Sequence, residues 1–303
     1  MRFALVFSII ACSFNALQAR ARFLASAPRH VPQIASETIH ARREEVEHAM
    51  AVSASQTRSN VSNTALNAAA AQQGPAYADW VQWLLPQIPA LGVDPLTSVL
   101  QQQVPLGITQ ANGGLWLEFG VFSGLTINLM AGQTSGVVHG FDSFQGLPED
   151  WHIGTVPGAP ANSRTIVKET FDLQGNLPPV RANVMLHRGW FDQTLPAFLQ
   201  TLPPVGTPGS AVSLLHIDCD LYTSTVTVLE SLAPRIIPGT VIVFDELVNF
   251  PEYRNHELKA LYEFAVKHGR SFAPIGCMCA IDPSGVRYEG DGSCQAVAVR
   301  IVT

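Results

Sequence analysis

Residues 115–124 read LWLEFGVFSG, and their order decides the fold class. The first five are apolar apart from one acid, which suits a strand buried on both faces, and Gly120 and Gly124 then permit a tight turn into a helix. Similar short apolar runs recur at 137–141 (VVHGF), 184–187 (VMLH), 212–217 (VSLLHI), 240–244 (TVIVF), 272–275 (FAPI) and 296–302 (AVAVRIV). Segments of helical length lie between most of them, near 124–132, 192–201, 223–234 and 253–268. Near-continuous apolar strands that alternate with helices pack as a parallel sheet covered on both faces. The last two runs have no helix between them, which predicts a closing antiparallel hairpin. The expected fold is thus α/β, a doubly wound, seven-stranded, mostly parallel sheet with a closing antiparallel strand.

Composition supports one large core. The chain is 47% hydrophobic and 14% charged, which disfavours wholesale disorder. Residues 1–60 hold seven Arg, no Lys and four Glu, while 61–303 hold eleven Lys and Arg against twenty Asp and Glu. An acidic body of this kind lacks the clustered cations that neutralise phosphates, so no nucleic-acid partner is expected.

The N-terminal part reads as an address. Arg2, an apolar run from Phe3 to Leu17 and small residues at Ala19 and Ala21 follow the order of a secretory signal peptide, and the run is short for a membrane span. Residues 20–35 are Arg, Ser and Ala rich without acids, a transit-like composition that suits a plastid reached through the secretory route. Residues 36–51 read as a polar helix, and Val52 to Gln73 as a linker that contains an N-x-S sequon at Asn60. The division expected is therefore 1–21 targeting peptide, 22–74 transit-like segment and linker, and 75–303 the folded domain, opened by two short helices within 77–103. Cys277 and Cys279 lack the partners of a zinc module, and Cys294 could pair with either across adjacent strands in an oxidising compartment.

Three stretches could carry chemistry. Glu118-Phe-Gly-Val-Phe-Ser-Gly124 follows the first strand, where backbone N–H groups can approach a ligand, but its spacing departs from the G-x-G-x-x-G of a dinucleotide site. Asp142, followed by Ser143, ends the second strand in GFDSFQGLP, where a carboxylate commonly grips a nucleoside ribose. His216-Ile-Asp-Cys-Asp-Leu-Tyr222 and Phe244-Asp-Glu246 follow the fourth and fifth strands. Ligands of open α/β sheets sit beyond the carboxyl ends of the strands, so Asp218, Asp220, Asp245 and Glu246 are expected on one rim. Carboxylates that close repel each other unless a cation neutralises them, and hard oxygen donors suit Mg²⁺, Mn²⁺ or Ca²⁺ better than zinc. Capping of the following helix is the competing account, and it serves Asp220 better than Asp245.

Together, LEFGVFSG, GFDSFQGLPEDW, HRGWFDQTLP, LHIDCDLYTST and VIVFDELVNFP resemble the macrocin O-methyltransferase family, from about Trp116 to Val302. The resemblance implies a Rossmann-like class I methyltransferase fold with S-adenosyl-L-methionine as methyl donor. It implies that Glu118, Gly120 and Ser123 line the donor beside Gly124, that Asp142 holds its ribose next to Ser143, and that Trp190 and Phe191 pack around the adenine. It likewise implies that Asp218, Asp245 and Glu246 ligate a divalent metal such as Mg²⁺. Glu246 stands where Asp is common in the family, and Leu125 where a small residue is frequent. The loop from Trp151 to Thr165 and the helix 253–268 are where recognition of a hydroxyl acceptor is expected.

The implied reaction moves a methyl group to a hydroxyl of a sugar, polyketide or phenol. In-line alignment supplies much of the acceleration, and a metal can lower the pKa of the acceptor hydroxyl. Asp218 is the best-placed group to take the proton, with His216 and His256 as rivals. A nucleotide-binding oxidoreductase and an inactive methyltransferase-shaped binding module are the competing classes. The missing G-x-G-x-x-G argues against the first, and the retained acids against the second. Assembly as a homo-oligomer stays open.

Overall fold

The computed structural model describes residues 75–88, 114–153, 164–248, 252–277 and 296–303. The expected targeting peptide, linker, sequon and second N-terminal helix lie outside them, as do Cys279 and Cys294. No helix among the described residues is long and apolar enough to cross a membrane.

Seven strands form one sheet: β1 (Leu115–Phe119), β2 (Val138–Asp142), β5 (Val184–Arg188), β6 (Val212–Ile217), β7 (Val241–Phe244), β8 (Phe272–Cys277) and β9 (Val297–Ile301). Their spatial order is β5-β2-β1-β6-β7-β9-β8. The first five run parallel, and β9 is antiparallel to both β7 and β8. All seven expected runs are strands, and the closing hairpin is present. The expected acceptor loop contains a second, two-stranded antiparallel sheet, β3 (Trp151–Ile153) with β4 (Arg164–Ile166).

Among the described residues five helices accompany the sheet: α1 (Pro75–Leu84), α2 (Leu125–Ala131), α3 (Phe191–Thr201), α4 (Tyr222–Leu232) and α5 (Glu257–His268). The helix expected over 253–268 is interrupted at His256, whose backbone leaves the helical region and separates a 3-10 turn from α5. Side chains alternate along each strand, so β1 splits its apolar residues between two cores. Leu117 and Phe119 join Leu215, Ile217, Phe198, Leu229 and Phe264 on the face that α3, α4 and α5 cover. Trp116 joins Leu214, Val241 and Val243 with Ile127 and Met130 of α2 on the other. At Gly140 in β2 an added Cβ would lie 2.3 Å from Ile127 Cδ1 and 2.7 Å from Val121 Cγ2, so the missing side chain is what lets α2 sit on the sheet. α1 packs through Trp80 on Tyr262 and Phe272, and Tyr77 Oη donates to the Arg254 carbonyl at 2.8 Å. Cys277 is disulfide-bonded, and Cys219 is a buried free thiol.

Strand order reverses its winding between β1 and β6. Crossovers from β1 run outward through β2 to β5, and those from β6 run outward to β7, so a crevice must open beyond the tips of β1 and β6.

Candidate active site

A cavity of about 590 Å³ opens at that crevice, within the usual size of a small-molecule site. Gly120, Phe122, Asp142, Ser143, Trp190 and Phe191 line one side, and Asp218, Asp220, Thr223 and Thr227 the other.

The first side is built around Asp142. Its Oδ2 accepts from the Val121 and Phe122 N–H groups at 2.8 Å each, and its Oδ1 from the Phe144 N–H at 2.6 Å. One carboxylate thereby ties the turn after β1 to the turn after β2. A carboxylate offers about four lone-pair sites, so one on Oδ1 stays open to a ligand hydroxyl. Burial pushes the Asp142 carboxyl above its ordinary range, and the three N–H donors oppose that shift. Gly120 has φ +88°, and a Cβ there would fall 1.6 Å from the Asp218 carbonyl oxygen, so only glycine lets the two strand tips lie this close. Phe122 and Phe144 also hold positive φ, strain of about 1–3 kcal/mol each that the Asp142 hydrogen bonds can offset. Aromatic rings complete this wall: Phe191 meets Phe119 edge-on at 5.2 Å between centroids, and Phe122 meets Phe171 at 5.5 Å.

The second side is acidic. Asp218 and Asp220 follow β6, Asp245 and Glu246 follow β7, and the side chains meet. Carboxylate oxygens of Asp218, Asp220 and Glu246 lie within 4.8 Å of one another, and ligand atoms of His216, Asp218 and Asp245 do the same. Asp220 sits at φ +61° with the Leu221 N–H donating to the Cys219 carbonyl at 2.5 Å, a strained three-residue turn. Helix capping does not account for it, because Leu221 is the α4 N-cap and no side chain caps that end. Burial, followed by the neighbouring Asp245, raises Asp218 and Glu246 well above the usual carboxylate range and pushes Asp220 up to about 7.

The expected site residues separate into those that face the cavity and those that do not. Gly120, Asp142, Ser143, Trp190, Phe191 and Asp218 line it; Glu118, Ser123, Gly124, Asp245 and Glu246 do not. Glu118 is fully buried beneath α2, where its Oε1 accepts from Thr126 Oγ1 at 2.5 Å and its Oε2 lies 3.8 Å from His216 Nδ1. The two-residue period of β1 turns Glu118 to the face opposite Phe119 and away from the crevice. His216 in turn stands 3.9 Å from Asp245 Oδ1. Burial alone would lower the His216 pKa, but Asp245 and Glu118 on either side hold it well above its ordinary value. Gly124 is the left-handed N-cap of α2.

Sequence reasoning passed over Phe122, Phe171, Asp192, Thr223 and Thr227. The hydroxyls of Thr223 and Thr227 were readable in principle, as positions i and i+4 on the cavity face of α4. It also passed over Glu257, the first residue of α5, which is fully buried.

Residues 117–247, from the second residue of β1 to just past the tip of β7, match the family model described as a methyltransferase domain. This segment resembles a methyltransferase domain. Over 125 residues the domain is 32% identical to the 8-demethyl-8-(2,3-dimethoxy-alpha-L-rhamnosyl)-tetracenomycin-C 4'-O-methyltransferase of Streptomyces olivaceus, covering 38% of this chain and 43% of that protein. Over 158 residues it is 28% identical to the mycinamicin III 3''-O-methyltransferase of Micromonospora griseorubida, covering 49% of this chain and 55% of that one. The chain thus spans about half the length of the curated relatives it matches. Among solved structures it is similar to the O-methyltransferase NovP, at 21% identity and a TM-score of 0.42 over 67% of this chain and 78% of that one. The family match and the two curated relatives agree with the motif resemblance to the macrocin O-methyltransferase family.

Proposed function

We propose that the chain is an S-adenosylmethionine-dependent O-methyltransferase that acts on a hydroxyl of a sugar-bearing or polyketide small molecule, with a divalent cation at its acid cluster. The observation that carries this is the two-sided cavity at the β1/β6 crevice: an aromatic, backbone-rich wall anchored by Asp142 faces a wall of clustered carboxylates. A nucleoside suits the first wall. Its ribose hydroxyl can donate to the remaining Asp142 lone pair, and its base can lie among Trp190, Phe191 and Phe122. The positive sulfonium of the donor is drawn to a cavity rich in carboxylates.

The donor set fits a hard cation. Only oxygen ligands are offered by Asp218, Asp220, Asp245 and Glu246, and the buried Glu246 Oε2 has no hydrogen-bond partner. A bound divalent cation supplies the positive charge that keeps these groups ionised and acidifies a hydroxyl held beside them. The remaining chemistry belongs to the chain. Asp218 lines the cavity and is the group placed to accept the proton from the acceptor oxygen as that oxygen takes the methyl carbon from sulfur. Thr223 and Thr227 offer hydroxyls to a polar acceptor, and Thr223 is held in place by donating to Glu149 at 2.8 Å. The relatives named for a rhamnosyl 4'-O- and a 3''-O-methylation support an acceptor that carries a sugar.

Calorimetry with S-adenosylhomocysteine, followed by mass spectrometry of a glycoside and phenol panel incubated with S-adenosylmethionine and Mg²⁺, tests this. Product gains one methyl group, and EDTA suppresses the gain. Absence of S-adenosylhomocysteine binding overturns the donor assignment, and methylation indifferent to EDTA overturns the role of the cation.

A further inference from the structure

Away from the cavity, two histidines converge at the outer edge of the sheet. Among the described residues β5 is the outermost strand on that side and pairs with β2 alone. His139 Nδ1 and His187 Nε2 stand 3.0 Å apart, one ring donating to the other. Strand alternation puts Met185 on the same face, because it is the register partner of His139 in β2 and lies two residues before His187 in β5. Met185 is 51% exposed and both histidines are half-buried, so solvent reaches the group from the open edge. None of the three lines the cavity.

The imidazoles are clamped in place. His187 stacks on Phe141 with centroids 4.4 Å apart and planes at 11°, and Phe198 of α3 packs against His139 at 4.8 Å and His187 at 5.0 Å. Burial lowers the pKa of both rings, to about 4 for His139, where His187 adds to the effect, so both are neutral near pH 7. A neutral imidazole carries one proton and one lone pair. Shifting the bridging proton to the far nitrogen of its own ring aims both lone pairs at the gap, and no proton is gained or lost. In a tetrahedral site with metal–nitrogen bonds of about 2.0–2.1 Å, two ligating nitrogens stand roughly 3.3 Å apart. The pair therefore needs to open by only about 0.3 Å to admit an ion. Two imidazoles beside a thioether are a soft donor set, and such donors select Cu⁺.

We propose that His139, His187 and Met185 form a seat for Cu⁺, separate in place and in donor chemistry from the oxygen-rich cluster at the cavity. The ion enters past the exposed Met185, and water supplies the fourth ligand. Once seated, it cross-links β2 and β5, the two outer strands on the parallel side of the sheet.

The test is anaerobic titration of the full chain with Cu⁺ against bicinchoninate as a coloured competitor, with accessible thiols alkylated beforehand. Wild type, His139→Gln, His187→Gln and Met185→Leu are compared, and circular dichroism reports on each fold. Removing even an outer partner of a metal site costs about 10–100-fold in affinity, so each histidine variant is expected to lose at least about tenfold. Met185→Leu is expected to fall between them and wild type. Equal Cu⁺ uptake and affinity in wild type and the histidine variants overturn the seat, and wild-type affinity in Met185→Leu overturns the place of the thioether in it. X-ray absorption at the copper edge decides if the histidine variants do not fold. Nitrogen and thioether sulfur around the ion in wild type, with the sulfur lost in Met185→Leu, support the seat; a copper shell without imidazole overturns it.

Discussion

Exchanging Asp142 for Asn keeps the shape of the side chain and replaces one of its two acceptor oxygens with a donor. In the better orientation the amide oxygen serves Val121 and Phe122, and the NH₂ group is left against the Phe144 N–H, whose present bond is 2.6 Å long. The reversed orientation loses two bonds instead of one. A buried donor without an acceptor costs about 1–3 kcal/mol, and hydrogen bonds to charged groups contribute about 1.5–3 kcal/mol each. The two remaining bonds lose their charge assistance, while relief from burying a carboxylate offsets part of the loss. The expected net destabilisation is about 2–4 kcal/mol. For a domain of this size that lowers Tm by roughly 5–15 °C. Because the same bonds hold the turn at Val121 and Phe122 against the cavity, S-adenosylhomocysteine affinity falls along with stability. Urea unfolding at neutral pH and calorimetry of wild type and Asp142→Asn measure both quantities. An unchanged urea midpoint together with unchanged affinity refutes the role of Asp142 as the tie between the two turns.

Gly140→Ala drives a Cβ against Ile127 and Val121; overpacking of this kind costs about 1–3 kcal/mol, so the urea midpoint drops, and an unchanged midpoint means α2 yields without strain. Phe191→Ala removes a ring that both lines the cavity and packs on Phe119, so S-adenosylhomocysteine affinity falls by about tenfold if base stacking of about 1–3 kcal/mol is lost, and equal affinity places the base elsewhere. His139, which shares a 3.0 Å hydrogen bond with His187, has its pKa lowered to about 4 by burial and then by His187. The unfolded chain therefore binds that proton first, and the stabilisation is complete above about pH 6.5 and lost as pH falls toward about 4. His139→Gln removes this contribution, so the gap in urea midpoint between wild type and variant narrows across that window; a constant gap contradicts the shift.

Strands were legible because a strand buried on both faces must be apolar nearly throughout, and LWLEF, VSLLHI and TVIVF each satisfy that condition. The rim of acids was legible for a related reason, since parallel strands point all their carboxyl ends the same way and carry Asp218 and Asp245 with them. Other roles were hidden in the letters. Glu118 lies in the Gly-rich motif, yet the alternation of β1 sends it under α2 to Thr126 and His216. Asp220 reads as a helix cap, and a strained turn holds it in the acid cluster instead.

From the chain alone follow the layered α/β architecture, its seven strands and closing hairpin, and the end of the sheet at which chemistry-bearing side chains gather, because hydrophobic periodicity and strand direction are local properties that each segment carries with it. Tertiary structure alone decided which acids share a site and which are spent on one another. Glu246 brought within 4.8 Å of Asp218 and Asp220, and Glu118 turned beneath α2 to Thr126 and His216, each depend on distances between segments remote in sequence, and electrostatic pairing is set by those distances and by burial rather than by the order of residues.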